Sequence, residues 1–319
     1  MIDLLDGGYL RHALEQDVRT GLTAVPKWLP PKWFYDEVGS ELFVRITRLA
    51  EYYPSRRELE ILRRHAAGIA RLALAETLVE LGSGSAEKTV LLLDALATAG
   101  TLRAYVPVDV DRSVLEGAAT RLAPRYPGVR IEPVRTDFER RLTLPSGPER
   151  RMVAFLGGTI GNFPPAAREV FLKDLRALLR PGDTLLLGTD LVKDPRRLLA
   201  AYDDPLGVTA EFNRNVLRVI NRELGAAFEP EAFEHIVRYD EDHEWIEMRL
   251  RATRAMEVEI RALGMVVRFE PGEEMRTEIS AKFRPEGVAA ELARAGFSVL
   301  RWYTDPAGDY GLTLAAPRD

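Results

Sequence analysis

The sequence predicts an α/β chain of two domains: a parallel sheet covered by helices on both faces and closed by an antiparallel hairpin, joined to a second α+β domain. Three observations lead there. From residue 76 short apolar runs alternate with helix-period segments, the pattern of a parallel sheet covered on both faces. After Val192 the period changes to two, the mark of half-buried antiparallel strands. With 319 residues the chain also has length for two domains.

The elements follow in order. Residues 25–55, VPKWLPPKWFYDEVGSELFVRITRLAEYYPS, are too apolar for a disordered tail and too interrupted for a long helix. Ser55 and Glu58 have capping-box spacing, so a helix is expected from there to about residue 74. TLVEL (77–81) reads as a strand, followed by a glycine turn and a helix to about 97. AYVPVDV (104–110), VRIEPVRTDF (129–138), RMVAFLGGT (151–159) and DTLLLGTDLV (183–192) are the next four strands. Helices are expected over 113–126 and from Pro164-Pro165 through EVFLKDLRALL. Asp194-Pro195 opens another helix to about 202, and one more spans 211–224. Residues 244–263 and 265–280 alternate as an antiparallel meander, turning at Pro271-Gly272. A last helix runs from 285 to 296, and 297–316 form a hairpin turning at 305–308. The domains are therefore 57–192 with 281–319, and 1–56 with 193–280. No internal repeat interrupts this order.

Composition narrows the chemistry. Hydrophobic residues at 46% and charged residues at 29% describe a globular chain. With no cysteine there is no disulfide, thiolate metal site or cysteine nucleophile. His12, His65, His235 and His243 show no metal-ligand spacing, so no metal is expected. EHIVRYDEDHE (234–244), which holds two of them, reads as a solvated surface. A net charge of −5 argues against a nucleic-acid partner, which needs a concentrated basic face. Arg56, Arg57, Arg63 and Arg64 read as the exposed face of a helix. No apolar run is long enough for a membrane span, and MIDLLDGGYLRHAL carries acids where a secretory signal is basic. A cytoplasmic protein is expected, and nothing in the pattern demands more than a monomer.

The strongest motif is VELGSGSAEKT (79–89), between a strand and a helix. Gly82 and Gly84 allow a tight turn whose backbone amides approach a ligand. A dinucleotide fingerprint wants another glycine at 87, where Glu87 would obstruct and repel a pyrophosphate. The zwitterionic tail of S-adenosylmethionine tolerates that acid, although Ser85 stands where its binding loops often carry a third glycine. Asp109 ends the second strand, where a carboxylate accepts both ribose hydroxyls. Asp137-Phe138 ends the third, where the acid accepts from an adenine amino group and the ring packs on the base. Single strand-end acids often only cap helices; the loop and both acids in register point to the cofactor. The closing hairpin then fits a Rossmann-like class I methyltransferase sheet. A nicotinamide oxidoreductase and a non-catalytic cofactor sensor are the competing readings, the first opposed by Glu87 and Asp137.

Beyond this core the chain resembles one family. The aromatic N-terminal block, VELGSGSAEKT, FLGGTIGNFPP (155–165), LLLGTDLVKDPRRLLAAYDD (185–204), GVTAEFNRNVLRVINRELGA (207–226) and GEEMRTEISAKFRP (272–285) are similar to the histidine Nα-methyltransferases of ergothioneine biosynthesis, from about residue 15 onward. The resemblance implies three methyl transfers from S-adenosylmethionine to the α-amino nitrogen of histidine, giving hercynine, with a second domain closing over the amino acid. A different small amine or amino acid is the alternative acceptor. It implies that Glu278 and Ser280 hold the two edges of the imidazole, and that Tyr52 and Asn162 bind carboxylate and amine, with Tyr202 alongside. Tyr35, Phe43, Gly157, Thr159 and Met248 line the rest, although Phe43 and Met248 alone would read as core. Gly82, Lys88, Asp109, Asp137, Phe138 and Tyr35 are implied on the cofactor side. Tyr35 and Asn162 are the expected catalytic residues, Tyr35 as the route for the amine proton. Gly157 and Gly161 either leave room for a quaternary ammonium or permit a tight turn.

Overall fold

The buried strands form where uninterrupted apolar runs leave no face fit for water. TLVEL, RMVAF and TLLLGTD are buried at every position. The computed structural model describes every residue except 6, 85, 141, 145–148 and 319. Along the chain lie β1 (Ile2–Asp3), α1 (Tyr9–Thr23), α2 (Glu37–Ile46), α3 (Pro54–Ala73), β2 (Thr77–Leu81), α4 (Val90–Thr98), β3 (Ala104–Asp109) and α5 (Arg112–Leu122). There follow β4 (Arg130–Ile131), β5 (Val134–Arg135), β6 (Arg151–Phe155), α6 (Pro165–Leu178), β7 (Thr184–Asp190), α7 (Pro195–Tyr202) and α8 (Val208–Leu224). The remainder is β8 (Phe233–Asp240), β9 (Trp245–Ala252), β10 (Met256–Ile260), β11 (Met265–Phe269), β12 (Glu274–Ala281), α9 (Pro285–Arg294), β13 (Phe297–Thr304) and β14 (Tyr310–Pro317).

The chain divides into two compact units. The first comprises Met1–Leu5, Pro54–Val192 and Lys282–Asp319. Its sheet runs β1-β5-β3-β2-β6-β7-β14-β13, with β4 also on β3. Pairing is parallel up to β7 and antiparallel for β7–β14 and β13–β14. Order reverses at β2, whose neighbours are β3 and β6, so a ligand crevice is expected at the carboxyl ends of these three strands. Residues 1–5, assigned to the other domain from sequence, instead add β1 beside β5. The third strand, expected unbroken over 129–138, is split into β4 and β5 around Pro133, which has no N–H to give to a ladder.

The second unit comprises Asp6–Tyr53 and Lys193–Ala281. It holds an antiparallel sheet in the order β12-β9-β8 and a β10–β11 pair. Val208, Phe212, Val216, Val219 and Ile220 recur at helical spacing, which is why α8 packs into this unit's core. Asp204 starts that helix, its carboxylate accepting from the Val208 amide at 3.0 Å and the Thr209 amide at 2.7 Å. The N-terminal block is more regular than its prolines suggested, giving α1 and α2, the latter capped by Asp36 on the Gly39 amide. EHIVRYD, taken from its charge for a solvated surface, is strand β8. Among the described residues no helix is long and apolar enough to cross a membrane.

Candidate active site

The glycine turn after β2 is held open by backbone conformation. Gly82 and Gly84 have φ of +66° and +47°, values that L side chains rarely adopt. A Cβ on Gly84 would meet none of the described residues beyond its chain neighbours within 4 Å. The Gly84 amide donates to Asp109 Oδ2 at 3.1 Å, while Asp109 Oδ1 accepts from the amides of Val110 at 2.8 Å and Asp111 at 3.1 Å. Loss of water pushes the Asp109 carboxyl above its ordinary range despite those three amides. Asp137 is buried, accepting from the Glu139 amide at 3.1 Å. The half-buried Phe138 ring lies edge-on to Phe155 and Phe171 and 3.8 Å from where a Gly82 Cβ would stand.

Ser83, between the two glycines, is 6% exposed, and its hydroxyl has no partner among the described residues. A buried hydroxyl without a partner is costly unless a ligand satisfies it. This donor and acceptor set fits the amino-acid tail, ribose and base of S-adenosylmethionine. Ser85 lies outside the described residues.

The capping-box reading of Glu58 is corrected by the structure. The helix begins at Pro54, so Glu58 lies past its first turn and points inward, with its side chain fully buried. It accepts from Lys88 Nζ, from the Gly157 amide at 2.8 Å and from the Tyr310 hydroxyl at 3.0 Å. Lys88 is thus in a partly buried ion pair. Gly157 and Gly158 have φ of +76° and +73°, so the turn after β6 requires glycine at both, and Gly161 is buried in the 3₁₀ turn that follows. Thr159 Oγ1 donates to the Leu156 carbonyl at 3.1 Å, and Asn162 is half-buried at the turn's end. Arg57, expected on an exposed face, donates to Asp309 Oδ2 at 3.1 Å.

A second cluster gathers in the other unit. Tyr35 meets Phe43 edge-on at 5.5 Å between centroids, Phe43 meets Tyr52 at 6.1 Å, and Tyr52 meets Tyr202 at 6.3 Å. Phe212 joins them from α8, 5.3 Å from Tyr35 and 5.9 Å from Phe43. The Tyr202 hydroxyl and Ser280 Oγ are 2.7 Å apart. Glu278 pairs across the ladder with Met248, and Ser280 with Ile246, so all four share one face of β9–β12.

Comparisons with known proteins show the family. The model of the histidine-specific, S-adenosylmethionine-dependent methyltransferases matches residues 14–317. The chain belongs to that family. It is 58% identical to a histidine N-alpha-methyltransferase of Mycobacterium tuberculosis, covering 98% of this chain and 96% of that protein. It is equally identical to a histidine N-alpha-methyltransferase of Mycolicibacterium smegmatis, covering 95% of this chain and 94% of that one. A Neurospora crassa ergothioneine biosynthesis protein 1 is 32% identical over 96% of this chain and 36% of its own length.

In this methyltransferase Gly82, Lys88, Asp109, Asp137, Phe138, Gly157, Thr159 and Asn162 belong to the first unit. Tyr35, Phe43, Tyr52, Tyr202, Met248, Glu278 and Ser280 belong to the second, so Tyr35 and Asn162 stand on different units. Sequence reasoning missed Glu58, Phe212, Asn213 and Thr277, and misread His235. Far from solvated, His235 is half-buried, with Nδ1 2.8 Å from Asn213 Nδ2 and Nε2 2.9 Å from the Tyr202 carbonyl. Its place in an alternating stretch, two residues after the buried Phe233, was the one available signal.

Proposed function

We propose that this enzyme transfers three methyl groups from S-adenosylmethionine to the α-amino nitrogen of L-histidine, giving hercynine as the first step of ergothioneine biosynthesis. The observation that carries the reading is the pair Glu278 and Ser280 on one strand face, with Tyr202 touching Ser280. A carboxylate that accepts a ring N–H and a hydroxyl that serves the other nitrogen recognise both edges of an imidazole. The two mycobacterial relatives named for this activity support it.

When bound, the cofactor supplies an electrophilic methyl group; Asp109 would hold the ribose, Asp137 and Phe138 the base, and the Gly82–Gly84 turn with Lys88 the amino-acid end. The protein's own part is orientation, since displacement at carbon needs only a neutral amine lone pair aligned with the methyl. Proximity of this kind is worth roughly 7–11 kcal/mol in favourable cases. Tyr52 and Asn162 would hold carboxylate and amine, and Tyr35 would pass the amine proton toward water. Faces of Tyr35, Phe43, Tyr52 and Tyr202 suit a growing ammonium through cation–π attraction. A cytoplasmic monomer without a nucleic-acid or membrane partner is part of the same proposal, the net charge of −5 speaking against a nucleic-acid partner.

The test is mass spectrometry of the enzyme incubated with S-adenosylmethionine and each of the twenty amino acids. Gain of three methyl groups by histidine alone is expected. Methylation of another amine instead would overturn the reading of Glu278 and Ser280. Repeating the assay with Tyr35→Phe reads the proton route, which a full rate at every pH would remove.

A further inference from the structure

Glu278 and Ser280 do not fall on the recognition face by simple alternation. Met275 pairs with Leu250 and Arg276 with Arg249, and the ladder then slips, so that Glu278 pairs with Met248, Ile279 with Glu247 and Ser280 with Ile246. Leu250, Met248 and Ile246 alternate along β9 and all enter the core of the unit. Counting by twos from Met275 would place Thr277 and Ile279 on that face and turn Glu278 and Ser280 to the side of Arg276. The extra residue at Thr277 reverses the phase. A bulge of this kind re-aims side chains, and it needs something to hold it, because the extra residue loses its place in the ladder.

Thr277 is held. It is 0% exposed, and its hydroxyl lies 2.6 Å from Asn213 Oδ1 and 3.0 Å from the Met248 carbonyl, the residue facing Glu278. Asn213, also 0% exposed, reaches from α8, and its amide nitrogen is 2.8 Å from His235 Nδ1 and 3.1 Å from the Arg249 carbonyl. That leaves the His235 proton on Nε2, which donates to the Tyr202 carbonyl at 2.9 Å. Tyr202 closes the circuit through its hydroxyl on Ser280. Burial holds the His235 pKa below its ordinary value, in keeping with the neutral ring that this pattern of partners requires.

We propose that Thr277, Asn213 and His235 are positioning residues for histidine recognition: they pin the bulge that turns Glu278 and Ser280 inward and fix Tyr202 beside Ser280. This deepens the proposed function and rests on it. None of the three is asked to touch the substrate. A buried hydroxyl that gives its proton to a buried amide is worth most through what its loss leaves unpaired, and here the loss also frees the strand to slip.

The experiment compares the intact enzyme with Thr277→Val, Thr277→Ser and His235→Gln. It measures kcat and KM for histidine, the rate ratio of histidine to phenylalanine, and S-adenosylhomocysteine affinity. Thr277→Val is expected to raise KM for histidine about tenfold and to shrink the histidine-to-phenylalanine ratio by a similar factor, with cofactor affinity unchanged. Thr277→Ser, which keeps the hydroxyl, should restore both. His235→Gln, whose amide nitrogen can donate to the Tyr202 carbonyl while its oxygen does not stand where Nδ1 accepts from Asn213, should give an intermediate loss. Wild-type selectivity in both Thr277→Val and His235→Gln would overturn the inference, as would failure of Thr277→Ser to recover it. Should Thr277→Val not fold, the serine and glutamine variants decide alone: a selective serine variant with a less selective glutamine variant supports the device, and equal selectivity in the two rejects it. If the wild-type enzyme does not methylate histidine, the proposed function falls and this inference with it. If it does and the variants match it, only the inference falls.

Discussion

Glu80 shows how a single residue in the binding-loop motif couples the fold to pH. It is an acid in a fully buried strand, accepting from the Thr89 hydroxyl and, at 2.6 Å, from the Tyr105 hydroxyl. Those bonds favour the charged form, but loss of water outweighs them and pushes the carboxyl from 4.5 up to about 7. The folded state therefore keeps this proton to higher pH than the unfolded chain does. Its contribution to stability is complete below about 4.5 and is lost as pH rises through about 7. Glu80→Gln has no such titration. Urea midpoints measured across that window should shift in the variant's favour as pH rises; a constant difference would show that the carboxyl is not raised. At this scale the positive-φ turn of Gly82 and Gly84 and the places of Asp109 and Asp137 after their strands were legible, because a tight turn after a strand demands glycine and acids there accept from the amides that follow. Glu58 was not, since its partners lie 30, 99 and 252 positions away in the chain. His235 was misread because charged neighbours in sequence are not its neighbours in space.

Among the elements, β7 is tightly constrained at Gly188. A Cβ on Gly188 would stand 2.6 Å from Glu58 Oε1, 2.8 Å from the Tyr310 hydroxyl and 3.4 Å from Leu156 Cα. There is no room between a strand backbone and a buried, bonded carboxylate. Gly188→Ala should therefore cost about 1–3 kcal/mol in urea denaturation, as overpacked cores do. Gly117 on α5 is the opposite case, with nothing within 4 Å of its Cβ and an exposed position. Gly117→Ala should gain up to about 1 kcal/mol, the ordinary helix preference for alanine. Equal effects of the two changes would mean that the Glu58 network yields freely. The elements themselves were readable where one period ran without interruption, as in β2, β6, β7 and α6. Reading failed at β4–β5, where Pro133 breaks the strand; β12 was read as a strand, but a period-two count cannot see the residue that slips within it. The bulge depends on Asn213, and that dependence is tertiary.

For the molecule as a whole, the two units make separable predictions about ligands. Binding that favours the folded state stabilises it by about 2.7 kcal/mol at a hundredfold excess over Kd. Slowed amide exchange then reports which segments close less often. S-adenosylhomocysteine should slow exchange at the turn of Gly82–Gly84, at Val110 and Asp111, whose amides already donate to Asp109, and at Glu139 beside Asp137. Histidine should slow it along β9 and β12, around Met248, Glu278 and Ser280, and at the amides of Val208 and Thr209 that begin α8 behind them. The two patterns distinguish assignments that activity alone cannot, because a lowered turnover does not say which ligand is held less well. Protection of β9 and β12 by S-adenosylhomocysteine, with the glycine turn unchanged, would reverse the assignment of the units. Protection by histidine confined to the turn after β6 would move amino-acid recognition away from Glu278 and Ser280, without bearing on the donor site proposed at Ser83 and Asp109.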